Sequence, residues 1–339
     1  MTRLTDSCHR AIDYLRISVT DRCNLRCIYC TPVNGVHWLS RSEVLSYEEI
    51  TTIARIAAGL GITKVRLTGG EPLVRSWLSK LIANLMRIST IEDISLTTNG
   101  IMLGRYAQEL KRAGLKRVNI SLDTLNPEKF KRITRYDKLQ DVLRGIETAK
   151  AVGLDPVKIN VVAMRGVNDD EILDFGRLSI DSGWHVRFIE LMPFTSETCS
   201  DAYLGGNKDN LQNMFIPVDE IKEKLSKLGP LTEPESFIRG NGPAKYFRLP
   251  GATGTIGFIG AVSNHFCDNC NRLRLTADGR LRLCLFSDDE IDLRALLRSG
   301  APPDKLREAI VEAVKIKPKQ HQLAHGGVSQ KRFMSQVGG

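Results

Sequence analysis

The chain has 339 residues, of which 42% are hydrophobic and 26% charged, a composition that excludes a disordered or fibrous protein. Its 48 Lys and Arg outnumber 39 Asp and Glu, for a formal charge of +9, so polyanions lead the candidate partners. The length exceeds the roughly 250–300 residues at which one core stops growing, so a large unit with an appended region is expected.

From Tyr14 to Glu190 short β-branched runs alternate with helical periods, the pattern of βα units around a parallel sheet. Strands are predicted at Tyr14–Thr20, Lys64–Leu67, Asp93–Thr97, Arg117–Ser121, Val157–Ala163 and His185–Ile189. Ser46 is placed to cap a helix that opens with Tyr47, Glu48 and Glu49, and Gly114 and Gly153 to end two others.

A parallel strand covered by helices on both faces reads as a continuous apolar run. These strands alternate instead. Leu15, Ile17 and Val19 are interleaved with Arg16, Ser18 and Thr20, Val65 and Leu67 with Arg66 and Thr68, and Val157, Ile159 and Val161 with Lys158 and Asn160. One face is therefore polar, which suits the lumen of a curved barrel. Six units are too few for the usual eight-stranded barrel. The expected class is α/β, an incomplete (β/α)6 TIM-like barrel; alternation by itself also permits an open sheet with one solvated face.

After Met192 the rhythm breaks. Thr195–Asn213 reads as a long loop and Pro217–Leu228 as a short helix. Strand-like runs follow at Lys245–Leu249, Thr255–Ile259, Arg272–Thr276 and Leu281–Leu285, then an amphipathic helix at Pro303–Lys315 and a tail of low apolar content, read as mobile in isolation, that closes on Gly338 and Gly339. The expected division is residues 1–215 as the barrel and residues 216–339 as a C-terminal region. No apolar run approaches the ~18 residues of a membrane span. Met1–Arg10 lacks the apolar core of a secretory signal, so the cytoplasm is the expected location.

In a reducing compartment clustered cysteines serve metals or redox chemistry more often than disulfides. Six of the eight cysteines form two triplets, while Cys8 and Cys199 stand apart as small hydrophobes. Cys23, Cys27 and Cys30, spaced C-x-x-x-C-x-x-C, follow the first predicted strand. Three thiolates do not complete a structural zinc site, but they can hold three irons of a 4Fe-4S cluster and leave the fourth open. With Tyr29 in that loop and Gly69-Gly70-Glu71-Pro72 after the second strand, the chain resembles the radical S-adenosylmethionine (SAM) superfamily.

The second triplet, Cys267, Cys270 and Cys284, is compatible by spacing with a zinc ribbon completed by His265. Its surroundings, from Phe266 through Asn271-Arg272-Leu273-Arg274-Leu275-Thr276 to Gly279 and Cys284-Leu285, resemble one family within that superfamily: the GTP 3′,8-cyclases of molybdenum cofactor biosynthesis. Arg332, Met334 and the closing Gly338-Gly339 resemble its C-terminal signature, with Val337 where that family often has Ile. The resemblance runs from about Asp13 to the last residue.

The resemblance implies two 4Fe-4S clusters, one on Cys23, Cys27 and Cys30 that binds and cleaves SAM, and one on Cys267, Cys270 and Cys284 that holds the purine of GTP. It implies SAM contacts from Tyr29, Gly70, Ser121 and Met192, and GTP contacts from Arg16, Arg66, Thr97, Lys158, Arg272 and Arg274. It brings Gly338 and Gly339 into the reacting centre. A 5′-deoxyadenosyl radical would take the ribose 3′ hydrogen, and the carbon radical would close onto guanine C8. The implied partners are an external electron donor of flavodoxin or ferredoxin type, a downstream cyclic pyranopterin monophosphate synthase and a second copy in a homodimer; no membrane or nucleic acid is expected.

The cations also fit a triphosphate by magnitude. Each charged hydrogen bond contributes roughly 1.5–3 kcal/mol net, and three or four give about 6–9 kcal/mol, enough for micromolar binding at about −8 kcal/mol. Two other readings use part of the same pattern. A radical SAM peptide maturase with an auxiliary cluster explains the first triplet but not Asn271–Arg274 or the Gly-Gly end. A zinc-containing nucleic-acid-binding protein explains the charge and second triplet, yet only 6% of residues are aromatic and no Lys/Arg block is present.

Overall fold

A computed structural model describes residues 3–32, 35–193, 213–235, 242–321 and 332–338. Cys199, Gly339 and most of the Thr195–Asn213 loop lie outside them. Six strands, β1 (Tyr14–Ser18), β2 (Lys64–Thr68), β3 (Asp93–Thr98), β4 (Arg117–Ser121), β5 (Val157–Ala163) and β6 (His185–Glu190), pair in parallel and in chain order. The helices between them are α1 (Tyr47–Gly59), α2 (Leu78–Met86), α3 (Leu103–Arg112), α4 (Pro127–Thr134), α5 (Leu139–Ala151) and α6 (Ile172–Asp181). Each buries an apolar stripe. In α1 that stripe is Ile50, Ile53, Ala54 and Ala57, and Ser46 and Glu49 close a capping box at its start. Gly114 and Gly153 have φ of 108° and 74°, the left-handed conformation that ends α3 and α5.

The C-terminal region extends the same sheet at both edges. β8 (Thr255–Ile259) adds in parallel to β6 and carries antiparallel β7 (Lys245–Phe247), while β9 (Arg272–Leu275) adds in parallel to β1 and carries antiparallel β10 (Arg280–Arg282) and β11 (Glu290–Asp292). The result is one mixed sheet of eleven strands. The predicted helix at Pro217–Leu228 is α7 (Val218–Leu225) followed by a short 3-10 turn. Neither β11, nor α8 (Leu293–Arg298), nor the helix at Met334–Val337 in the tail read as mobile was predicted; with three, six and four residues, they are too short to leave a clear periodicity. α9 (Pro303–Lys315) buries the predicted Leu306, Ile310, Ala313 and Val314. At the end of the chain α10 (Met334–Val337) is seated with Ser335 and Val337 buried. No helix among the described residues is long and apolar enough to cross a membrane.

Candidate functional site

Parallel α/β sheets gather their ligand sites at the C-terminal strand ends, and one cavity lies there. Both cysteine triplets line it, as do Tyr29, Gly70, Ser121 and Met192 and five of the six predicted nucleotide contacts: Arg16, Arg66, Thr97, Arg272 and Arg274. Residues more than 250 positions apart in sequence thus share one site.

The first triplet sits on a loop closed by its own backbone, with Cys30 N and Thr31 N both donating to Cys27 O at 3.0 Å. A small apolar cluster of Ile28, Ile133, Met164, Val167, Leu191 and Met214 packs this loop against α4 and β5. Beside it, Gly70 N donates to Thr20 O at 2.7 Å and Glu71 N to Arg22 O at 2.8 Å. A Cβ on Gly70 would lie 2.4 Å from Arg22 O, so only glycine permits this approach. Buried Glu71 ties the turn to β3, accepting from Leu73 N at 2.9 Å, Thr98 Oγ1 at 2.8 Å and Asn99 N at 2.6 Å; burial raises its carboxyl to about 7. Across the cavity Tyr29 donates to Asp123 at 2.7 Å, and burial lifts that carboxyl to about 6.

Burial pushes all three thiols of the first triplet up, Cys23 to about 12 and Cys30 to about 11, because the charged thiolate loses its hydration there. At the second triplet burial raises Cys270, but the nearby Arg272 and Lys317 charges outweigh it and bring that thiol to about 7. Arg272 stacks 4.6 Å from the Phe266 ring centre, and its Nη2 lies 3.9 Å from Cys270 Sγ. Lys317, buried, donates to Arg272 O at 3.1 Å and to Leu283 O. Arg10 bonds Cys267 O, Lys319 O and Pro318 O, each at 2.7 Å, fixing the turn that carries the first two cysteines. Neither Lys317 nor Arg10 was anticipated; each acts through backbone carbonyls brought near only by folding.

The donor set fits iron–sulfur clusters better than zinc. No three His, Cys, Asp or Glu side chains among the described residues converge closely enough to hold a single metal ion. The cysteines of a cluster bind separate irons and need no common point, and the three thiols of each triplet line one cavity wall.

The cationic wall is built by register. Arg16 lies opposite Arg66 on one side and Arg274 on the other. Burial, then the Arg274 and Arg66 charges, push Arg16 well below the ordinary arginine range, and burial followed by Arg272 lowers Arg274 to about 9. Arg66 donates to Ser95 Oγ at 3.2 Å, and Arg274 to Gly338 O at 3.1 Å. Arg187, on the same cavity, donates to Asn119 Oδ1 at 2.6 Å. Arg187 was not predicted, although it alternates with Val186 and Phe188 as Arg16 does with its neighbours. Thr97 Oγ1, Asn160 Oδ1 and Arg187 Nε are buried without a hydrogen-bond partner among the described residues, as polar atoms aimed at a ligand would be.

Lys158 does not line this cavity. It is 1% exposed, and its ammonium donates to Tyr246 OH at 2.9 Å and lies 4.8 Å from the ring centre. It pairs with Asn119 and His185, two residues below the level of Asn160 and Arg187 that reaches the cavity. Gly338 has φ of 70° and presents its carbonyl to Arg16 and Arg274.

Known proteins bear on this site. Residues 17–178 match the family described as Radical SAM superfamily, and residues 184–323 the one described as Molybdenum Cofactor Synthesis C. The chain is 51% identical to a GTP 3′,8-cyclase of Moorella thermoacetica and 50% identical to one of Heliobacterium modesticaldum, in each case over 99% of this chain and 100% of the relative. Among solved structures, Streptococcus suis SuiB bound to S-adenosylmethionine has a TM-score of 0.57 at 15% identity, covering 88% of this chain and 68% of that one, a likeness of fold alone.

Proposed function

The chain belongs to the GTP 3′,8-cyclase family of the radical SAM superfamily, and from that premise we propose how its residues divide the reaction. The enzyme converts GTP to (8S)-3′,8-cyclo-7,8-dihydroguanosine 5′-triphosphate, the first step of molybdenum cofactor biosynthesis, with SAM and two 4Fe-4S clusters as cofactors. The chemistry supplied by the bound groups is one-electron cleavage of SAM, giving the 5′-deoxyadenosyl radical that removes the ribose 3′ hydrogen.

The architecture we propose is an incomplete barrel whose polar lumen is the cavity. Residues 1–215 form the radical-generating unit, and residues 216–339 the unit that presents the nucleotide, although both contribute strands to one sheet. Cys23, Cys27 and Cys30 would hold the first cluster, and Cys267, Cys270 and Cys284 the second. Tyr29, Gly70, Ser121 and Met192 bind SAM beside the first triplet. Arg16, Arg66, Arg272 and Arg274, joined by Arg187 and by the Thr97 hydroxyl, bind GTP between the two. Lys158 adds its charge from behind the cavity wall. Gly338, whose carbonyl meets Arg16 and Arg274, completes the wall over the nucleotide, where a radical must be kept from water. The reading extends to a homodimer, a flavodoxin- or ferredoxin-type donor and delivery of product to the downstream synthase.

The observation that carries this reading is the convergence of both triplets and the arginine row on one cavity. Anaerobic incubation of reconstituted protein with SAM, dithionite and GTP tests it. About eight irons per chain and 5′-deoxyadenosine formation that requires GTP are expected. Zinc in place of iron, or 5′-deoxyadenosine driven by a peptide and not by GTP, would overturn it.

A further inference from the structure

The loop of the first triplet has two sides. Cys23, Leu25, Cys27, Tyr29 and Cys30 line the cavity, whereas Arg22, Asn24, Arg26 and Ile28 do not. With SAM and GTP in the cavity, the other side is the one open to a carrier of electrons. There Arg26 donates to Cys23 O at 2.6 Å and to Leu25 O at 2.8 Å, and its guanidinium carbon lies 4.9 Å from the Trp38 ring centre. Arg26 and Trp38 are both half-buried, so each keeps some contact with solvent. A carrier resting against Trp38 is separated from Cys23 by a single side chain that touches both.

The surface beside this contact is basic. Arg26 N donates to Thr134 O and Ile28 N to Ile133 O, both at 3.0 Å, which fixes the end of α4 against the loop. From Lys131 to Lys138 that end carries four cations, Lys131, Arg132, Arg135 and Lys138, against one acid, Asp137. Lys131 and Arg22 are exposed, and Tyr136 is 42% exposed. Many exposed cations elsewhere are neutralised along their own helices, Arg177 by Asp174, Lys305 by Glu308 and Lys315 by Glu312. Neither Lys131 nor Arg22 has a carboxylate within 4 Å among the described residues. Accessible aromatic rings and arginine beside uncompensated positive charge are what an interface for an acidic protein requires.

We infer that the face centred on Trp38 and Arg26, bordered by Arg22 and the end of α4, is where an acidic one-electron carrier protein docks to reduce the first cluster. This rests on the assignment of Cys23, Cys27 and Cys30 to that cluster. One electron leaves the reduced group of the carrier, which is oxidised, and enters the cluster, which is reduced; no bond is made or broken in the transfer. The positive charge steers an acidic partner to this side of the loop, and Trp38 gives it an apolar contact above Arg26.

The test compares two reductants of the reconstituted holoenzyme, reduced flavodoxin and dithionite, by the rate of 5′-deoxyadenosine formation with SAM and GTP present. Dithionite is small and needs no docking face. In Lys131→Glu and in Trp38→Leu the rate at limiting flavodoxin is expected to fall about tenfold, while the dithionite-driven rate stays at the wild-type value. Added salt is expected to slow the flavodoxin-driven reaction of the wild type more than that of Lys131→Glu. Lys227→Glu, the same charge change on the turn after α7, is expected to leave both rates unchanged. Flavodoxin-driven rates equal to wild type in Lys131→Glu and Trp38→Leu would overturn the inference, as would an equal fall with both reductants. A changed oligomeric state in Lys131→Glu with an unchanged flavodoxin-driven rate would give the face to a second copy of the chain and overturn it too. A wild-type protein with neither dithionite-driven 5′-deoxyadenosine nor a SAM-responsive electron paramagnetic resonance signal would instead overturn the cluster assignment beneath it.

Discussion

Arg16 donates from Nη2 to the carbonyl oxygen of Gly338 at 3.2 Å, joining the first strand of the sheet to the last described residue of the chain. Arg274 donates to the same oxygen at 3.1 Å. A Cβ on Gly338 would lie 2.7 Å from Thr68 Cγ2, and its φ of 70° disfavours any side chain. Deleting Gly338 and Gly339 is therefore expected to abolish turnover while iron content and SAM binding stay at wild-type levels. Gly338→Ala is expected to cut turnover at least tenfold. Full activity in the deletion variant would remove the tail from the site.

The arginine row should act on GTP and not on SAM. Arg16→Ala, Arg66→Ala and Arg187→Ala each remove a charged donor worth roughly 1.5–3 kcal/mol, a loss of about ten- to a hundredfold in GTP affinity. Calorimetric titration of each cluster-loaded variant with GTP, and separately with SAM, measures both. A variant with unchanged GTP affinity would take its residue out of the nucleotide site.

Lys158 is expected to make nucleotide binding consume a proton. Burial, then the Arg187, Arg117 and Arg66 charges, lower its ammonium from 10.5 to about 6, so at pH 8 it is mostly neutral in the free enzyme. Between those values the unfolded chain binds the proton that the fold has released, so stability rises with pH across that window. A bound triphosphate favours the ammonium and draws the proton back. Titrations with GTP at pH 8 in buffers of different ionisation enthalpy should show uptake approaching one proton, vanishing below pH 6 and absent in Lys158→Met. Equal uptake in wild type and variant would assign the proton elsewhere.

Arg10 secures the second triplet. Its guanidinium pairs with fully buried Asp6 at 2.6 Å while holding three backbone carbonyls around Cys267. Arg10→Ala strands a buried carboxylate, a cost of about 3–5 kcal/mol, and releases the turn. Iron is expected to fall from about eight to about four per chain, with the SAM-responsive signal of the first cluster retained. Retention of all the iron would show that the cysteines hold the turn unaided.

What the sequence determined is what neighbours along the chain dictate. Alternation of Ile17 and Val19 with Ser18 and Thr20 places a strand because side chains two apart share a face, and β4, β5 and β8 have the ends their patterns predict. Ser46 and Glu49 announce α1 because a cap is closed within one turn. The cysteine spacings and Gly69–Pro72 are local in the same sense. Alternation assigns a face but not a depth: Lys158 lies on the predicted face, yet two residues, or roughly 7 Å, below the level that reaches the cavity. Only the tertiary structure sets β9 beside β1, and with it Arg274 beside Arg16 and Arg66. It alone brings Arg10 to Cys267 and the end of α4 against the loop of the first triplet. Such pairings close long loops, and the packing that stabilises them is spread over the whole core rather than written in any one segment.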